Sequence, residues 1–288
     1  MIQILVWIGV LLSFYFFITL AITLILANLP RRPVDGIPDW GTVKDCRIPT
    51  VNGKTIEAWV VYPHKSETNN NKKPAIILIH GWGRNRARMI SRARMYGREG
   101  YTTILISVRD HGNSDKEVTG MSILRFSQDL EACVEWWGKP VILAGHSIGA
   151  GSTLIVAGKN SLVKGVVAEA PPYAFPHSLK YVYGPILKWF TPLFMPGITT
   201  ITLLKVRNHS RRDYSPLDAA KTIPNTVSTF LIHGKKDRIL PWKLTPLLGK
   251  KIKRCEIWIP EESTHYDIEE HPDYEKNVIN FIKSNFTS

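Results

Sequence analysis

Short runs of apolar, largely β-branched residues alternate with helix-forming segments along most of the chain, and this alternation limits the folds that it can adopt. The predicted strands are Val43–Ile48, Ile56–Tyr62, Ala75–Ile79, Thr102–Ser107, Val141–Ala144, Gly165–Ala168, Ser228–Ile232 and Cys255–Ile259. The central runs are continuously apolar, which indicates strands of a parallel sheet covered on both faces. Asn52-Gly53 between the first two strands predicts a hairpin, so the sheet should begin with an antiparallel pair.

Helical segments lie between these strands. The predicted helices are Arg86–Arg98, Ser122–Trp137, Ser147–Lys159, Pro241–Lys250 and Pro272–Asn285. Strand–helix alternation over this length predicts a doubly wound α/β fold with a mostly parallel, eight-stranded sheet and helices on both faces. The stretch from about 172 to 218 is much longer than an ordinary connection, which predicts a cap insertion.

The first 29 residues contain no charged side chain and are mostly apolar. About 20 apolar residues cross a bilayer core as a helix, so this run predicts one transmembrane anchor. A cleaved signal peptide is the alternative, but the run has no basic start, exceeds the usual apolar length of about 7–15 residues and precedes no clear Ala-x-Ala site. Residues 30–42, with several prolines, predict a linker to a single domain at 43–288.

Charge predicts the orientation of this anchor. Arg31 and Arg32 follow the apolar run, while no lysine or arginine precedes it. The positive-inside rule therefore predicts a single-pass membrane protein with its catalytic domain in the cytoplasm. The formal net charge of +13 suits an anionic membrane surface. It would also suit nucleic acid, but no fingerprint of a nucleic-acid-binding module is present, so we expect no such partner.

The cysteines bear on metals and on compartment. Cys46, Cys133 and Cys255 are widely separated, and the sequence has no Cys-x-x-Cys pair or His/Cys cluster with the spacing of metal ligands. We therefore expect no metal site. Scattered cysteines of odd number fit a reducing compartment better than a disulfide framework.

The segment Gly145-His146-Ser147-Ile148-Gly149 matches the pattern G-x-S-x-G. It lies between a buried predicted strand and a helix-forming run. A sharp turn from strand to helix needs small residues beside the serine, because the backbone folds tightly and must leave room for a substrate. The structural alternative is a glycine-rich turn in which Ser147 caps the helix. The context of strand and helix favours Ser147 as a nucleophile.

A serine hydroxyl is a weak nucleophile unless a base accepts its proton. His265 lies in a polar loop just after the last predicted strand, where this architecture brings a base over the serine, and it is the predicted base. Among the nine histidines, the alternatives are His80 and His111, in loops at the carboxyl edge of the strands, and His146, inside the G-x-S-x-G segment. The other five have a poorer placement: His64, His177, His209, His233 and His271.

Asp237 is the predicted partner of that base, because it follows the strand Ser228–Ile232. A carboxylate there would hold the imidazole in the correct tautomer and stabilise its cation. A solvent-facing aspartate in a turn is the structural alternative. Asp213, Asp218 and Asp267 are competitors for the role, but the chain order Ser, Asp, His favours Asp237.

Backbone N–H groups complete the predicted site. His80-Gly81-Trp82-Gly83 follows the strand Ala75–Ile79, and a glycine-rich turn there can direct an N–H toward a developing oxyanion. The second donor is expected from the residue after the nucleophile. We assign the two donors to Trp82 and Ile148.

These motifs together resemble the α/β-hydrolase superfamily, particularly its esterase, monoglyceride-lipase and serine-aminopeptidase-like group. The segment from Arg109 to Ser114 also resembles the superfamily's D-x-R-G-H-G-x-S loop, with Ser107 in place of the first Asp and Asp110 in place of the first Gly. The resemblance implies two-step acyl transfer to water with no cofactor and no metal. It also places a cap at the insertion.

The resemblance and the composition of the insertion also predict the substrate class and the partners. The leading substrate is a small molecule or lipid, an ester or thioester of an apolar acid. Peptide hydrolysis of the serine-aminopeptidase type is the nearest alternative. A non-catalytic, membrane-tethered binding protein with the same fold is an alternative of another class. The insertion mixes aromatic and basic residues, which predicts either a cover for the domain core or a lid that lines an acyl pocket near lipid.

Six arginines occupy the segment that follows the glycine-rich turn, with no acidic residue among them before Glu99. They are Arg84, Arg86, Arg88, Arg92, Arg94 and Arg98. A solvated helix face is one interpretation. The lack of local acids favours a second one, contact with anionic lipid headgroups.

Overall fold

The computed structural model describes residues 1–27, 31–64, 73–117, 122–174 and 191–286. The strands are β1 (Gly41–Thr50), β2 (Lys54–Pro63), β3 (Ala75–Ile79), β4 (Thr103–Ser107), β5 (Val141–His146), β6 (Val163–Glu169), β7 (Ser228–Ile232) and β8 (Cys255–Trp258). The helices are α1 (Ile2–Ala27), α2 (Ile90–Arg98), α3 (Ile123–Trp137), α4 (Ile148–Ala157), α5 (Thr191–Val206), α6 (Pro216–Ala220), α7 (Thr245–Gly249) and α8 (Tyr274–Phe286). Short 3-10 turns at Arg86–Met89 and Trp242–Leu244 precede α2 and α7.

All eight strands form one sheet in the order β1-β2-β4-β3-β5-β6-β7-β8. β1 and β2 form an antiparallel hairpin whose turn holds Asn52 at φ 61° and Gly53 at φ 63°, as the Asn-Gly pair predicted. β2 is antiparallel to β4, and every later neighbour is parallel. The predicted fold class is confirmed. Because the carboxyl ends of parallel strands meet at one edge, the loops after these strands converge there.

Apolar layers cover both faces of the sheet. In β3, Ile77 packs in one layer with Leu154 of α4, while the adjacent Ile76 packs in the other layer with Tyr96 of α2 and Phe281 of α8. Successive side chains of a strand point to opposite faces, so a strand buried on both sides must be apolar at every position. This explains the continuous apolar runs in the sequence.

Helix α1 contains Ile2–Ile25, the one helical stretch within the described residues that is long and apolar enough to cross a membrane. A signal sequence can meet the same criterion of length and composition. Most side chains of α1 are exposed, whereas Thr19 and Thr23 are buried. The chain after α1, residues 31–40, has no helix or strand and lies against the domain.

The predicted cap insertion is described in part. Its described elements are α5, a 3-10 turn at Arg211–Asp213 and α6. Residues 175–190, which hold most of the aromatic residues of the predicted lid, lie outside the described residues.

Candidate active site

Ser147 occupies the sharp bend between β5 and α4, with φ 56° and ψ −124°. This left-handed conformation is strained for a residue with a side chain. A Cβ added to Gly149 would lie 2.5 Å from the carbonyl oxygen of His80, and one added to Gly145 would lie 2.7 Å from the backbone of Gly149. The backbone of the bend is therefore too crowded for side chains at positions 145 and 149. The Ser147 N–H donates to the carbonyl oxygen of Glu169 at 2.8 Å, which ties the bend to the end of β6.

His265 lies in the loop after β8 and is almost fully buried. Its Nε2 is 3.0 Å from Ser147 Oγ, and its Nδ1 is 2.6 Å from Asp237 Oδ2. With Nδ1–H donating to the carboxylate, Nε2 is free to accept the serine proton. The structure thus brings together the three side chains that the sequence singled out.

Both carboxylate oxygens of Asp237 accept hydrogen bonds. Oδ1 accepts the backbone N–H groups of Ile239 at 2.7 Å and Leu240 at 2.8 Å, and Oδ2 accepts from His265 and from His233, the latter at 2.9 Å. Burial by itself raises the pKa of this carboxyl, but the hydrogen bonds from His233 and His265 outweigh it and hold the pKa well below its usual range. The side chain is therefore a carboxylate at neutral pH.

The competing aspartates have other partners. Asp213 accepts hydrogen bonds from Ser210, Asp218 pairs with Lys221, and Asp267 accepts from the N–H and hydroxyl of Thr264. These contacts are local in the chain and lie outside the hydrogen-bond chain to Ser147.

His233 is a residue of the site that the sequence analysis missed. Its Nδ1 lies 2.6 Å from the Thr245 hydroxyl, so Nδ1 accepts that proton and Nε2–H donates to Asp237. The signal was present as a histidine four positions before Asp237, directly after β7. The sequence analysis set it aside because its placement was not as good as that of His265.

The structure contradicts the prediction that the arginines of the segment 84–98 contact lipid headgroups. Arg88 and Arg92 both bind Glu269 in the His265 loop, and Arg92 also binds Glu169 at 2.8 Å. Arg88 Nη2 donates to the carbonyl oxygen of Tyr266 at 2.9 Å. The acids that neutralise these cations come from distant parts of the chain. The face of α2 therefore supports the loop that carries His265.

The other arginines of this segment also have partners within the fold. Arg86 binds Asp45 and Glu57 at 3.0 Å, and Arg94 binds Asp39 at 2.9 Å. Arg98 lies 4.0 Å from Glu275. Arg84 lies over the ring of Tyr266 with its guanidinium carbon 5.9 Å from the centroid.

The turn predicted to hold the oxyanion lies directly against Ser147. A Cβ on Gly81 would be 3.3 Å from Ser147 Cβ, closer than an ordinary van der Waals contact, so a side chain at this position would have to push the turn or Ser147 aside. Trp82 is the next residue of that turn, and Ile148 is the first residue of α4. The N–H of Gly83 donates to His111 Nε2 at 3.2 Å, while His111 Nδ1–H donates to the carbonyl oxygen of Arg109 at 3.0 Å.

The three alternative histidines bind backbone groups. His80 Nε2 accepts the Val108 N–H at 3.2 Å, and His146 Nε2–H donates to the carbonyl oxygen of His265 at 2.7 Å. Burial is the main cause that lowers the pKa of His80, His111 and His146, so all three imidazoles are neutral. They shape the loops around the site.

The loop that resembles D-x-R-G-H-G-x-S is held by hydrogen bonds and ion pairs at both of its departures and at its arginine. Asp110, which stands in place of glycine, adopts a left-handed φ of 66°, a conformation that aspartate tolerates better than most residues. The carboxylate that binds the loop arginine comes from Asp129, 2.7 Å from Arg109 Nε. The serine that replaces the first aspartate, Ser107, donates to Glu57 at 2.7 Å.

The chain that leaves α1 docks at this same edge of the sheet. Arg31 Nη1 donates to the carbonyl oxygens of Gly112 at 3.1 Å and Ser114 at 2.7 Å. Asn85 Nδ2 donates to the carbonyl oxygens of Arg32 at 3.1 Å and Pro33 at 2.7 Å. The residues that follow the apolar helix are therefore held beside the loop of His111 and the turn of Trp82.

Within the described ranges no group of three or more His, Cys, Asp or Glu side chains could hold a metal ion.

Comparisons with known proteins bear on the fold. The model of the alpha/beta hydrolase family matches residues 76–274. The AB hydrolase superfamily protein YisY of Bacillus subtilis is 23% identical over 255 residues, which cover 74% of this chain and 91% of that protein. An esterase of Pyrococcus furiosus superimposes with a TM-score of 0.70 at 20% identity, covering 90% of this chain and 97% of the other. The esterase EaEST of Exiguobacterium antarcticum superimposes with a TM-score of 0.62 at 19% identity, over 84% of this chain and 99% of the other.

Proposed function

The chain belongs to the alpha/beta hydrolase family, and on that basis we propose that it is a serine hydrolase that cleaves esters or thioesters of apolar acids. Ser147 is the nucleophile, His265 the general base, and Asp237 the carboxylate that orients the base. One observation carries the proposal: a buried hydrogen-bond chain runs from Asp237 Oδ2 to His265, 2.6 Å, and from His265 to Ser147 Oγ, 3.0 Å. The similarity to two solved esterases supports ester cleavage as the reaction class.

The proposed reaction has two steps. Ser147 Oγ attacks the acyl carbon while its proton passes to His265 Nε2, and the Asp237 carboxylate stabilises the resulting imidazolium. The N–H groups of Trp82 and Ile148 hold the oxyanion. Collapse of the tetrahedral intermediate breaks the bond to the alcohol or thiol, which leaves with the proton from His265. Water then attacks the acyl-serine, gives a proton to His265 and releases the acid as Ser147 regains its proton.

We further propose that residues 1–29 are a retained single-pass anchor, that residues 30–42 link it to the domain at 43–288, and that the domain faces the cytoplasm. The length and composition of α1 and the flanking Arg31 and Arg32 support this topology. The bonds from Arg31 and Asn85 support an active-site edge that faces the membrane. Substrates dissolved in the bilayer would then be concentrated at the site, which favours apolar acyl groups.

A fluorophosphonate probe tests the nucleophile. The detergent-solubilised full chain should be labelled, Ser147→Ala should not be, and Ser161→Ala should be labelled like the wild type because Ser161 lies on an exposed turn. Equal labelling of the wild type and Ser147→Ala would remove Ser147 from the mechanism.

A substrate panel of acyl esters, thioesters and aminoacyl amides tests the reaction class. We expect the highest kcat/KM on an ester or thioester. Faster turnover of aminoacyl amides would favour the peptidase alternative. No turnover and no labelling would favour the non-catalytic binding protein.

A further inference from the structure

Helix α5 of the cap lies in direct backbone contact with α1. A Cβ on Gly197 would be 2.4 Å from the carbonyl oxygen of Thr19, so no larger residue fits at this crossing. Four residues earlier on each helix, the Tyr15 hydroxyl donates to the carbonyl oxygen of Leu193. The cap is thus attached to the apolar N-terminal helix as well as to the hydrolase domain.

The face of α1 that receives α5 includes two threonines at helical spacing. Thr19 and Thr23 are buried and lie one turn apart. Their hydroxyls donate within α1, to the carbonyl oxygens of Phe16 at 2.8 Å and Thr19 at 2.7 Å. Each hydroxyl is therefore satisfied without water. Glycine and threonine at a close helix crossing are typical of helix pairs in membranes, where packing replaces the hydrophobic effect.

The two contacts also define how the helices are aligned. Tyr15 with Leu193 and Thr19 with Gly197 share one sequence offset of 178, so α1 and α5 run parallel and in register. The same offset places Lys205, the first charged residue of α5, level with Ala27 at the end of α1. Lys205 is thus level with the last residue of α1, and Arg31, the first charged residue after α1, follows four positions later in the chain.

Three leucines of α5 remain exposed beside its contact with α1. Leu193, Leu203 and Leu204 are 49%, 58% and 57% exposed. The stretch Thr191–Leu204 has no charged side chain. As a helix it rises about 21 Å, less than the hydrocarbon core of about 30 Å, so it can enter the bilayer to a little beyond the midplane without crossing it.

We propose that α5 is an embedded part of the cap that lies beside α1 and enters the bilayer from the side of the catalytic domain. Lipid acyl chains cover Leu193, Leu203 and Leu204, and Lys205 lies at the level where the headgroups begin. This inference rests on the proposed span of α1 and deepens it, because the cap then contacts the phase in which an apolar substrate dissolves.

Depth-dependent quenching in vesicles tests the proposal. The full chain carries Cys46→Ser and Cys255→Ser, while the fully buried Cys133 is kept. Single cysteines at Ile18, Leu193, Leu204 or Ser161 are labelled with the fluorophore NBD, and the protein is reconstituted in phosphatidylcholine vesicles that contain lipids with a doxyl quencher at carbon 5 or 12.

We expect strong quenching at Ile18 and Leu193, quenching at Leu204 mainly by the shallow 5-doxyl lipid, and none at Ser161. Quenching at Ile18 without quenching at Leu193 and Leu204 would overturn the embedded α5 while leaving the span of α1 intact. An unquenched Ile18 would remove the anchor itself and the inference with it. Pyrene excimers at a Leu203→Cys label, in place of lipid quenching, would mean that a second copy of the chain covers this face and would also overturn the proposal.

A matched pair of glycine variants tests the contact with α1. Gly197→Ala should force the helices apart, and quenching at Leu193 should fall toward the level at Ser161. Gly9→Ala is the control, because a Cβ on Gly9 meets nothing within 4 Å. Equal quenching in the two variants would contradict the role of the Gly197–Thr19 contact in holding α5 in the bilayer.

Discussion

The guanidinium of Arg92 lies 2.8 Å from the carboxylate of Glu169, and both side chains are almost fully buried. The carbonyl oxygen of the same Glu169 accepts the N–H of Ser147, and Arg92 also binds Glu269 in the loop of His265. Through these two ion pairs, the buried Arg92 joins the strand beside the proposed nucleophile to the loop that carries the proposed base.

Arg92→Met should destabilise the domain by about 3–5 kcal/mol, because Glu169 would be left as a buried charge without its partner. Activity should fall as well, since the His265 loop loses its contact with α2. Urea unfolding of the solubilised protein measures the stability. Arg94→Met is the control: Arg94 pairs with the exposed Asp39, and its loss should have a much smaller effect. Equal losses in both variants would contradict the role of the buried pair.

Asp237→Asn should lower kcat by about 10⁴-fold with little change in folding, because the amide favours the wrong imidazole tautomer. Steady-state kinetics on a short-chain ester give kcat, and circular dichroism checks the fold. Asp213→Asn should keep near-normal kcat, since in the described contacts the carboxylate of Asp213 accepts hydrogen bonds from Ser210 alone. A near-normal kcat for Asp237→Asn would transfer the role to another carboxylate.

Stability should fall as the pH drops below about 6.5. Burial lowers the pKa of His80, His111 and His146 in the folded chain, whereas an unfolded histidine titrates near pH 6.5. Below that pH the unfolded chain binds protons that the folded chain does not, so the stability present above about pH 6.5 is lost as the pH falls. The slope reaches about 1.4 kcal/mol per pH unit for each histidine.

Unfolding at pH 7 and pH 5.5 measures this slope. His111→Gln should reduce it, because the glutamine amide can also accept the Gly83 N–H and does not titrate. The exposed His64 provides the control, and His64→Gln should leave the slope unchanged. A stability that does not vary between these pH values would show that the buried histidines do not control it.

Acyl length should control kcat/KM. Each methylene buried in an apolar pocket stabilises the complex by about 0.8 kcal/mol, or roughly fourfold if fully realised. We expect kcat/KM to rise from acetyl to at least octanoyl esters, and a deletion within residues 181–195 to flatten that rise. A preference for acetyl esters would contradict an apolar acyl substrate.

Protease added outside intact cells should leave the domain uncut, because the proposed topology places it in the cytoplasm. Western blotting against a C-terminal tag detects the product, and cells opened by detergent provide the control in which cleavage occurs. Digestion without lysis, or a mature N-terminus near Pro30, would contradict the retained anchor or its orientation.

The sequence by itself determined the fold class and the position of the sharp bend at Ser147. The strands β3 and β7 have the predicted bounds, Ala75–Ile79 and Ser228–Ile232, because a strand buried on both faces must be apolar at every position. The bend at Ser147 was predictable for a similar reason. Its crowded backbone excludes side chains at Gly145 and Gly149, and this requirement is visible in five consecutive residues.

Only the tertiary structure decided which charges and helices meet. Arg88 and Arg92 lack acidic neighbours in sequence, yet Glu169 and Glu269 neutralise them across the fold. The contact of Gly197 with Thr19 joins two apolar helices that the sequence left unrelated. Ion pairs and helix crossings depend on distances between residues that are far apart in the chain. Local composition does not encode those distances, and they become definite only when the sheet and its helices have packed together.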